Sequence, residues 1–536
     1  MIKKIALLVM LCFQFNAIAQ EDAWVYLADK ENVQTSISNP ISILTQHAID
    51  RKSAHNVTID ERDVPVNENY ISQLKTQMGI TVLAKSKWFN AVHVRGLEVD
   101  ILALENLMFV NEIIFADNNL NAKTGTSKLK SDFKNERVRA VFNYGDALNQ
   151  IQMFNGDDLH IADYTGSGMT VAVIDAGFPG VDNIAGFQYV RDAGNILGTY
   201  NFVARDVDVY LNTTSNHGTL VFSDMAGFIQ DDFVGTAPDA QYYLFITEDA
   251  PNENPVEESY WVEAAERADS LGVDVINTSL GYKNYDNTNY SHSAADLDGL
   301  TTYISKGANI AFEKGMLIVT SAGNSGASGI SAPGDAPGSF TIAAVDANGN
   351  YAGFSSQGSV IQLTQKPDVA TQGQSSYVIG ENNIIATASG TSFSSPIMAG
   401  GLVCLWQALP NFNNAEIMQL VRESASQFNN PDYFIGYGIP DLSLALNEGL
   451  SVDEFPISAT ILRVFPNPVT NELNVQLPSI YESGNLIFYT ILGKKVLESQ
   501  VSQTQRKVNV SHFSKGVYLL KVEADGFSKT LKLIIN

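Results

Sequence analysis

Hydrophobic runs and helical spacings alternate along the middle of the chain. Five short apolar runs predict buried strands, and two longer segments have the spacing of helices. The strands are Thr170–Ile174, Gln241–Ile246, Val273–Asn277, Met316–Ser321 and Phe340–Val345, and the helices are Pro255–Leu271 and Ala295–Lys314. Because the strands are apolar throughout and separated by helices, the pattern predicts an α/β domain, a parallel sheet with helices on both faces.

The two ends of the chain have other patterns. From about residue 21 to 117, strand-like and helical pieces alternate irregularly, which predicts a small α+β module. Its strands are Trp24–Leu27, Gly79–Leu83, Ala91–Val94 and Glu112–Phe115, and its helices are Ile41–Asp50, Glu68–Gln77 and Asp100–Leu107. The last 80 or so residues carry short alternating strands separated by turn residues, which predict a β-sandwich.

The first residues have the form of a secretory signal peptide. Two lysines precede a short apolar core, and Ala17-Ile18-Ala19 provides a small-x-small cleavage site. The core is too short to span a bilayer, and no other apolar run approaches that length. Cys12 allows a lipoprotein alternative, but Leu11 stands where a small residue is needed. The pattern therefore predicts export without a transmembrane segment.

Charge and cysteine content narrow the function classes. The chain has 536 residues and a net charge of −25, which argues against nucleic acid or an anionic membrane as the main partner. It has two cysteines, Cys12 in the signal peptide and Cys404. The mature chain can therefore form no internal disulfide and depends on its hydrophobic core.

One stretch, from Gly390 to Gly400, has the form of a strand-to-helix turn that presents a nucleophile. Ser392 lies at the corner, and the small residues that follow allow the helix to pack tightly. Taken alone, a Ser in such a Gly/Ser-rich turn is more often a helix N-cap. G-T-S-x-S-S-P-x-x-A-G resembles the nucleophile motif of the subtilases, the subtilisin-like serine peptidases, in which Asp, His and Ser follow in that order.

Three further segments match that family. Asp175 ends an apolar strand, and His217-Gly218-Thr219 matches the start of the family's histidine-bearing helix. Asn324, in Ala322-Gly323-Asn324, resembles the residue whose amide donates into the oxyanion hole. The resemblance implies a subtilisin-like fold with Asp175, His217 and Ser392 as catalytic residues.

The resemblance also places the substrate. Ser279, Leu280 and Gly281 match the edge on which the backbone pairs with an extended peptide, and Ser331 matches the floor of the specificity pocket. A Ser there favours uncharged, small-to-medium side chains before the scissile bond. If the register is shifted, Asp335 would favour basic residues instead.

The sequence departs from the family's motifs at two positions, and it offers no clear calcium-binding loop. Leu220 replaces a second His of the H-G-T-H-V motif, and Ala176 follows Asp175 where many relatives have Ser or Thr, which suggests a divergent branch. No cofactor is predicted. Structural calcium is common in the family, but Asp206, Asp208, Asp231 and Asp232, the acidic residues in question, are interpreted as solvated surface.

The flanking regions resemble parts of exported peptidases. The N-terminal module resembles an inhibitory subtilase propeptide, with an ordinary accessory domain as the alternative. The P-N-P, L-G-K and G-V-Y elements of the tail, at Pro466–Pro468, Leu492–Lys494 and Gly516–Tyr518, resemble the type IX secretion sorting domain, with a carbohydrate-binding or adhesive module as the alternative. The predicted domains are 1–19 signal peptide, 20–135 propeptide and linker, 136–450 peptidase, 451–458 linker and 459–536 sorting domain.

The predicted function is a secreted serine endopeptidase of the extracellular space or outer-membrane surface, which acts through an acyl-enzyme. Its partners are protein or peptide substrates and, through the tail, the type IX secretion machinery. The alternative from another class is an inactive surface adhesin with the same fold. The sequence does not separate a narrow processing peptidase from a degradative one.

Overall fold

The computed structural model describes residues 20–121, 142–450 without 212 and 214, and most of 463–535. In the last range, 466–468, 470, 478–480, 491–493, 503–505 and 525–526 are not described. The predicted signal peptide, the linker at 451–458 and the end of the predicted propeptide-and-linker segment, 122–135, lie outside these residues. The chain divides after Leu450 into two units.

The N-terminal module is an antiparallel sheet with helices packed on it, in the order β2-β3-β1-β4. The strands are β1 (Glu21–Leu27), β2 (Thr81–Ser86), β3 (Ala91–Gly96) and β4 (Val110–Phe115), and the helices are α1 (Val33–Ser38), α2 (Gln46–Ala54), α3 (Glu68–Lys75) and α4 (Glu98–Ala103). The α+β prediction is confirmed. The helix predicted from Ile41 begins later because Thr45 accepts a bond from the Ala48 N–H and acts as the N-cap.

A seven-stranded sheet, all of whose pairs are parallel, forms the centre of the larger unit. Its order is β13-β12-β11-β10-β5-β9-β6. The strands are β5 (Thr170–Asp175), β6 (Ile196–Asn201), β9 (Gln241–Ile246), β10 (Val275–Thr278), β11 (Leu317–Ser321), β12 (Ser339–Val345) and β13 (Val369–Gln372). Two short hairpins accompany it, β7 (Phe228–Ile229) with β8 (Phe233–Val234), and β14 (Ser376–Ile379) with β15 (Ile385–Ala388).

Helices pack on both faces of this sheet, as the sequence predicts. They are α5 (Leu148–Gln152), α6 (Gly156–Ile161), α7 (Gln188–Asp192), α8 (His217–Ala226), α9 (Val256–Leu271), α10 (Tyr303–Glu313), α11 (Thr391–Ala408), α12 (Asn414–Glu423) and α13 (Leu442–Leu450). Helices α9 and α10 pack together, and α8 packs against α11. The helix predicted from Ala295 begins only at Tyr303, since Thr302 caps it through the Ser305 N–H and a turn at Asp298 precedes it.

Buried charges join the N-terminal module to helices α9 and α10. Asp269 accepts bonds from Arg51 Nη2 and Lys52 Nζ at 2.6 Å each, and Lys314 Nζ reaches Asp63 Oδ2 at 2.7 Å. All five side chains are almost fully buried. Because each cation has an acidic partner, the desolvation of these charges is compensated within the interface.

The second unit is built from two antiparallel sheets, β16-β17-β20 and β19-β18-β21-β22. The strands are β16 (Arg463–Phe465), β17 (Glu472–Gln476), β18 (Ser483–Thr490), β19 (Lys495–Ser502), β20 (Lys507–Asn509), β21 (Gly516–Ala524) and β22 (Phe527–Ile535). Leu473 and Val475 of one sheet share a core with Leu486 and Phe488 of the other. The sandwich prediction is thus confirmed.

Candidate active site

The predicted site residues lie at one edge of the central sheet, where its parallel strands end. Asp175 is the last residue of β5, Ser279 follows β10 and Asn324 follows β11. His217 and Ser392 are the first and second residues of helices α8 and α11. The carboxyl edge of a parallel sheet is where ligands bind in open α/β folds, because loops and helix N-termini converge there.

Asp175 and His217 form a hydrogen-bonded pair. His217 Nδ1 lies 2.8 Å from Asp175 Oδ1, and the carboxylate is fully buried while about a third of the imidazole is exposed. Gly218 allows this approach, since a Cβ there would lie 2.6 Å from the Gly177 carbonyl oxygen. The pair therefore fixes the imidazole orientation and leaves Nε2 for other contacts.

The charges around His217 favour its protonated form. Burial works against protonation, but the carboxylates of Asp175 and then Glu248 attract the imidazolium, and the pKa of His217 is raised above its usual value. Asp175 Oδ2 is buried without a hydrogen-bond partner among the described residues. Since Ala176 supplies no hydroxyl to this oxygen, less of the negative charge is neutralised by hydrogen bonds.

Ser392 is held against the segment that follows β10. Its hydroxyl donates to the Ser279 carbonyl oxygen at 3.3 Å, and Ser279 Oγ donates to the Ser392 carbonyl oxygen at 2.8 Å. In the described part of the chain, no hydrogen bond joins Ser392 Oγ to His217. A rotation about the Cα–Cβ bond of Ser392 would have to replace the Ser279 contact before a proton could pass to the imidazole.

Two N–H donors lie beside Ser392. As the second residue of α11, Ser392 has no intrahelical acceptor for its own backbone N–H. The exposed side chain of Asn324 has its Oδ1 bonded to Thr391, which leaves its Nδ2 to point the other way. With the positive end of the helix dipole, these donors can stabilise a negative oxygen.

The remaining predicted residues form one wall. Tyr282, next to Gly281, pairs with Ala332 through two backbone bonds, and this brings Ser279-Leu280-Gly281 beside Ser331. A Cβ on Gly281 would lie 2.9 Å from that of Ser331, so glycine is needed for the contact.

Asp335 does not face this wall. Its carboxylate is buried and accepts bonds from Ser305 Oγ at 2.6 Å and the Gly299 N–H at 2.8 Å. Burial raises its pKa to about 6. The alternative in which Asp335 approaches the pocket is therefore wrong.

Sequence reasoning missed Glu248. The half-buried carboxylate lies just beyond β9, and the Tyr282 hydroxyl donates to it. The sequence did contain one signal. Glu248 is an acidic residue two positions after the strand that ends at Ile246, much as Asp175 is an acidic residue at the end of its own strand.

The acidic residues considered for calcium do not form a ligand set. The carboxylate of Asp206 accepts the Asp208 N–H, that of Asp208 accepts N–H groups of its own turn, and Asp231 bonds to Asn143 and Gln230. Among the described residues, no group of three or more His, Cys, Asp and Glu side chains is placed to hold a metal ion.

Comparison with known proteins gives three family matches along the chain. Residues 22–133 match a Peptidase S8 propeptide domain of Bacteroidota, residues 166–438 match the Subtilase family, and residues 463–536 match a secretion system C-terminal sorting domain. The sorting domain indicates secretion to the extracellular space or outer-membrane surface. None of the described helices is long and apolar enough to cross a membrane.

Individual proteins are similar to part of the chain. Subtilisin amylosacchariticus of Bacillus subtilis subsp. amylosacchariticus is 28% identical over 300 residues, which cover 55% of this chain and 70% of that one. Subtilisin BL of Lederbergia lenta is 28% identical over 287 residues, 53% of this chain and 93% of that one. The crystal structure of MycP1 from Mycobacterium smegmatis matches with a TM-score of 0.44 and 21% identity, over 60% of this chain and 89% of that one. Since the Subtilase match alone spans more than half of the residues, the chain belongs to the subtilase family, the subtilisin-like serine peptidases.

Proposed function

We propose that this peptidase hydrolyses peptide bonds through an acyl-enzyme on Ser392, with His217 as general base and Asp175 as its orienting carboxylate. The observation that carries the proposal is the 2.8 Å contact between His217 Nδ1 and Asp175 Oδ1, beside a serine at a helix N-terminus. A buried carboxylate in that position holds the imidazole in one tautomer and stabilises the imidazolium that forms.

The chemistry proceeds in two half-reactions. Ser392 Oγ attacks the carbonyl carbon while its proton passes to His217 Nε2, and the carbonyl oxygen becomes negative. Asn324 Nδ2 and the Ser392 N–H donate to that oxygen. His217 then gives the proton to the leaving amine, and a water molecule repeats the sequence to release the acid and free Ser392.

The substrate is expected to lie in an extended form along Ser279-Leu280-Gly281, with its side chain before the scissile bond directed at Ser331. The reciprocal bonds between Ser279 and Ser392 support this, because they hold the edge next to the nucleophile. Protein or peptide substrates follow from this arrangement.

Labelling with a fluorophosphonate probe tests the nucleophile. The secreted wild-type protein should be labelled, and Ser392→Ala should be unlabelled, inactive and present as an unprocessed precursor, because removal of the propeptide is proposed to use the same site. Ser394→Ala, whose buried hydroxyl bonds to the Thr391 carbonyl oxygen, is the control and should still be labelled. Labelling of Ser392→Ala would show that Ser392 is not the nucleophile. A Ser392→Ala product of mature size, made in a host without other peptidases, would exclude self-processing.

We further propose the division 1–19, 20–135, 136–450, 451–458 and 459–536, with the last segment as the part that the type IX machinery binds. The boundary between the two units after Leu450 supports the position of the linker. A chain truncated after Leu450 should fold and collect in the periplasm. Equal extracellular activity with and without the tail would instead favour an adhesive or binding role for it.

A further inference from the structure

The pairing of β9 with β5 places Glu248 close to Asp175 and His217, the proposed catalytic pair. Asp175 pairs with Ile246, and the Thr247 N–H donates to the Asp175 carbonyl oxygen at 3.2 Å. Glu248 is the next residue, and its charge acts on both His217 and Asp175. The carboxylate is therefore at the same edge of the sheet as the catalytic pair.

Tyr282 connects this carboxylate to the proposed substrate edge. Its hydroxyl donates to Glu248 Oε1, its ring is buried, and its backbone continues from Ser279-Leu280-Gly281. Since β10 and β9 lie on opposite sides of β5, the contact between Tyr282 and Glu248 crosses the end of the strand that carries Asp175. The substrate edge and Glu248 are thus fixed relative to each other.

Glu248 has acids and hydroxyls around it. Its Oε1 accepts bonds from Tyr282 and from Thr247 Oγ1, the latter at 3.2 Å, and the charged groups that interact with it are the acids Glu253, Asp175 and Glu257 and the imidazole of His217. None of the ion pairs formed within the described ranges includes it. Burial, with these acids, raises the pKa of Glu248 to about 8. A cation brought to this carboxylate would gain a charge-assisted bond that the free enzyme does not make.

The strand order decides which substrate side chain reaches Glu248. Ser331 precedes β12, on the β11 side of the substrate edge, whereas Glu248 follows β9, on the β5 side. Side chains of an extended peptide alternate between its two faces. If the residue before the scissile bond, P1, faces Ser331, the preceding residue, P2, faces His217 and Glu248.

We propose that Glu248 is a specificity residue that selects Lys or Arg at P2 of the substrate. The inference rests on the proposed function, because it uses the substrate path along Ser279-Leu280-Gly281. A bound cation stabilises the charged form of the Glu248 carboxylate. At any pH at which Glu248 is protonated in the free enzyme, binding a P2 lysine therefore releases a proton from it. The preference should therefore grow as the pH rises towards about 8 and above it.

The test compares two peptides that differ only in Lys or norleucine at P2, with the mature wild-type enzyme at about one pH unit above the pKa of Glu248. Their ratio of kcat/KM should be at least tenfold, which corresponds to about 1.4 kcal/mol, and the difference should lie mainly in KM. Glu248→Gln keeps an acceptor for Tyr282, and its ratio should fall to about one. Glu253→Gln, an exposed acid in the same loop, is the matched control. It should lower the pKa of Glu248, which is already mostly ionised at this pH, and so keep the wild-type ratio.

The outcomes separate the two proposals. A wild-type ratio near one, or an unchanged ratio in Glu248→Gln, overturns the role of Glu248 while peptide turnover still supports the proposed function. If the wild-type enzyme cleaves neither peptide and reacts with no fluorophosphonate, both proposals are overturned. Because each ratio compares two peptides on one enzyme, a change in the pKa of His217 caused by the substitution cancels.

Discussion

Asn324 Oδ1 accepts two hydrogen bonds from Thr391, one from the backbone N–H at 2.9 Å and one from the hydroxyl at 3.0 Å. Thr391 is the residue before Ser392 and begins helix α11. The loop after β11 and helix α11 are therefore joined by the amide itself. This double contact directs Nδ2 away from Thr391, as its proposed role as an oxyanion donor requires.

Asn324→Ala should lower kcat by roughly 10²-fold to 10³-fold, about 2.7 to 4 kcal/mol, with little change in KM. The reason is that the amide bonds the oxyanion more strongly than the ground-state carbonyl. Steady-state kinetics on a peptide substrate measure both constants. Thr391→Val, which keeps the backbone bond to Asn324, should lose less than about tenfold. A loss seen mainly in KM would remove Asn324 from the oxyanion hole.

The pH dependence of kcat/KM should report His217. The imidazole must be neutral to accept the Ser392 proton, and its pKa is raised by Asp175 and Glu248 against the effect of burial. Activity should therefore be lost as the pH falls through the pKa of His217, which lies above the usual histidine value of about 6.5. A pH profile of kcat/KM, measured with a peptide that has an uncharged residue at P2, reports this loss.

Asp175→Asn is the matched variant for that profile. Without the Asp175 carboxylate, only Glu248 opposes the effect of burial on the pKa of His217, so the loss of activity should move to lower pH while the rate falls by about 10⁴-fold. If the wild-type enzyme lost half of its kcat/KM only at or below about pH 6.5, the raised pKa of His217 would be contradicted.

Local patterns predicted most of the sheet, and motifs that resemble those of the subtilases predicted the places of Asp175, His217 and Ser392. An apolar run such as Gln241–Ile246 forms a buried strand whichever strands it pairs with. Its position can therefore be predicted from the sequence alone. The edge strands β6 and β13 were missed, since β6 is largely half-exposed and β13 has only four residues. Neither has the continuous apolar run that marks a central strand.

Contacts that depend on the order of the strands were not predictable. Glu248 and Tyr282 are 34 positions apart, and they meet because β9 and β10 flank β5. The ion pairs of Asp269 with Arg51 and Lys52 likewise join positions more than 200 residues apart. Nothing in their local sequence distinguishes them from solvated charges.

Asp269→Asn should destabilise the attachment of the propeptide to α9 and α10. The change leaves Arg51 and Lys52 buried without their shared carboxylate, which should cost about 3 to 5 kcal/mol. The Ser392→Ala precursor is the background, because we expect it to keep its propeptide. Its melting temperature should fall, and its N-terminal module should become more susceptible to an added protease.

The exposed pair of Lys85 with Glu68 provides the control for that experiment. Glu68→Gln should leave the melting temperature almost unchanged, since exposed ion pairs contribute little. If Asp269→Asn behaved like Glu68→Gln, the buried charges would not hold the interface together.

Cleavage should favour uncharged, small-to-medium side chains at P1, because Ser331 fills part of the predicted pocket. Ser331 is 8% exposed and lies between Gly281 and Gly323: its Cβ is 2.9 Å from where a Cβ on Gly281 would be, and its Oγ is 3.0 Å from where one on Gly323 would be. The carboxylate of Asp335 is bonded to Ser305 and Gly299 and does not face the pocket to pair with a basic P1 residue. Forcing an aromatic ring into this space should cost about 1 to 3 kcal/mol, on the order of tenfold to a hundredfold in kcat/KM.

Profiling with a peptide library varied at P1 measures this preference, and Ser331→Gly is the variant that tests its cause. Removing the hydroxymethyl group should deepen the pocket and raise kcat/KM for Phe relative to Ala by roughly tenfold, because the overpacking is relieved. Dominant wild-type cleavage after Phe or Tyr would show that Ser331 is not the pocket floor. Dominant cleavage after Lys or Arg at P1 would require an acid in the pocket. Asp335 is bonded to Ser305 and Gly299, and Glu248 lies on the opposite side of the substrate path, so neither is placed to supply that acid.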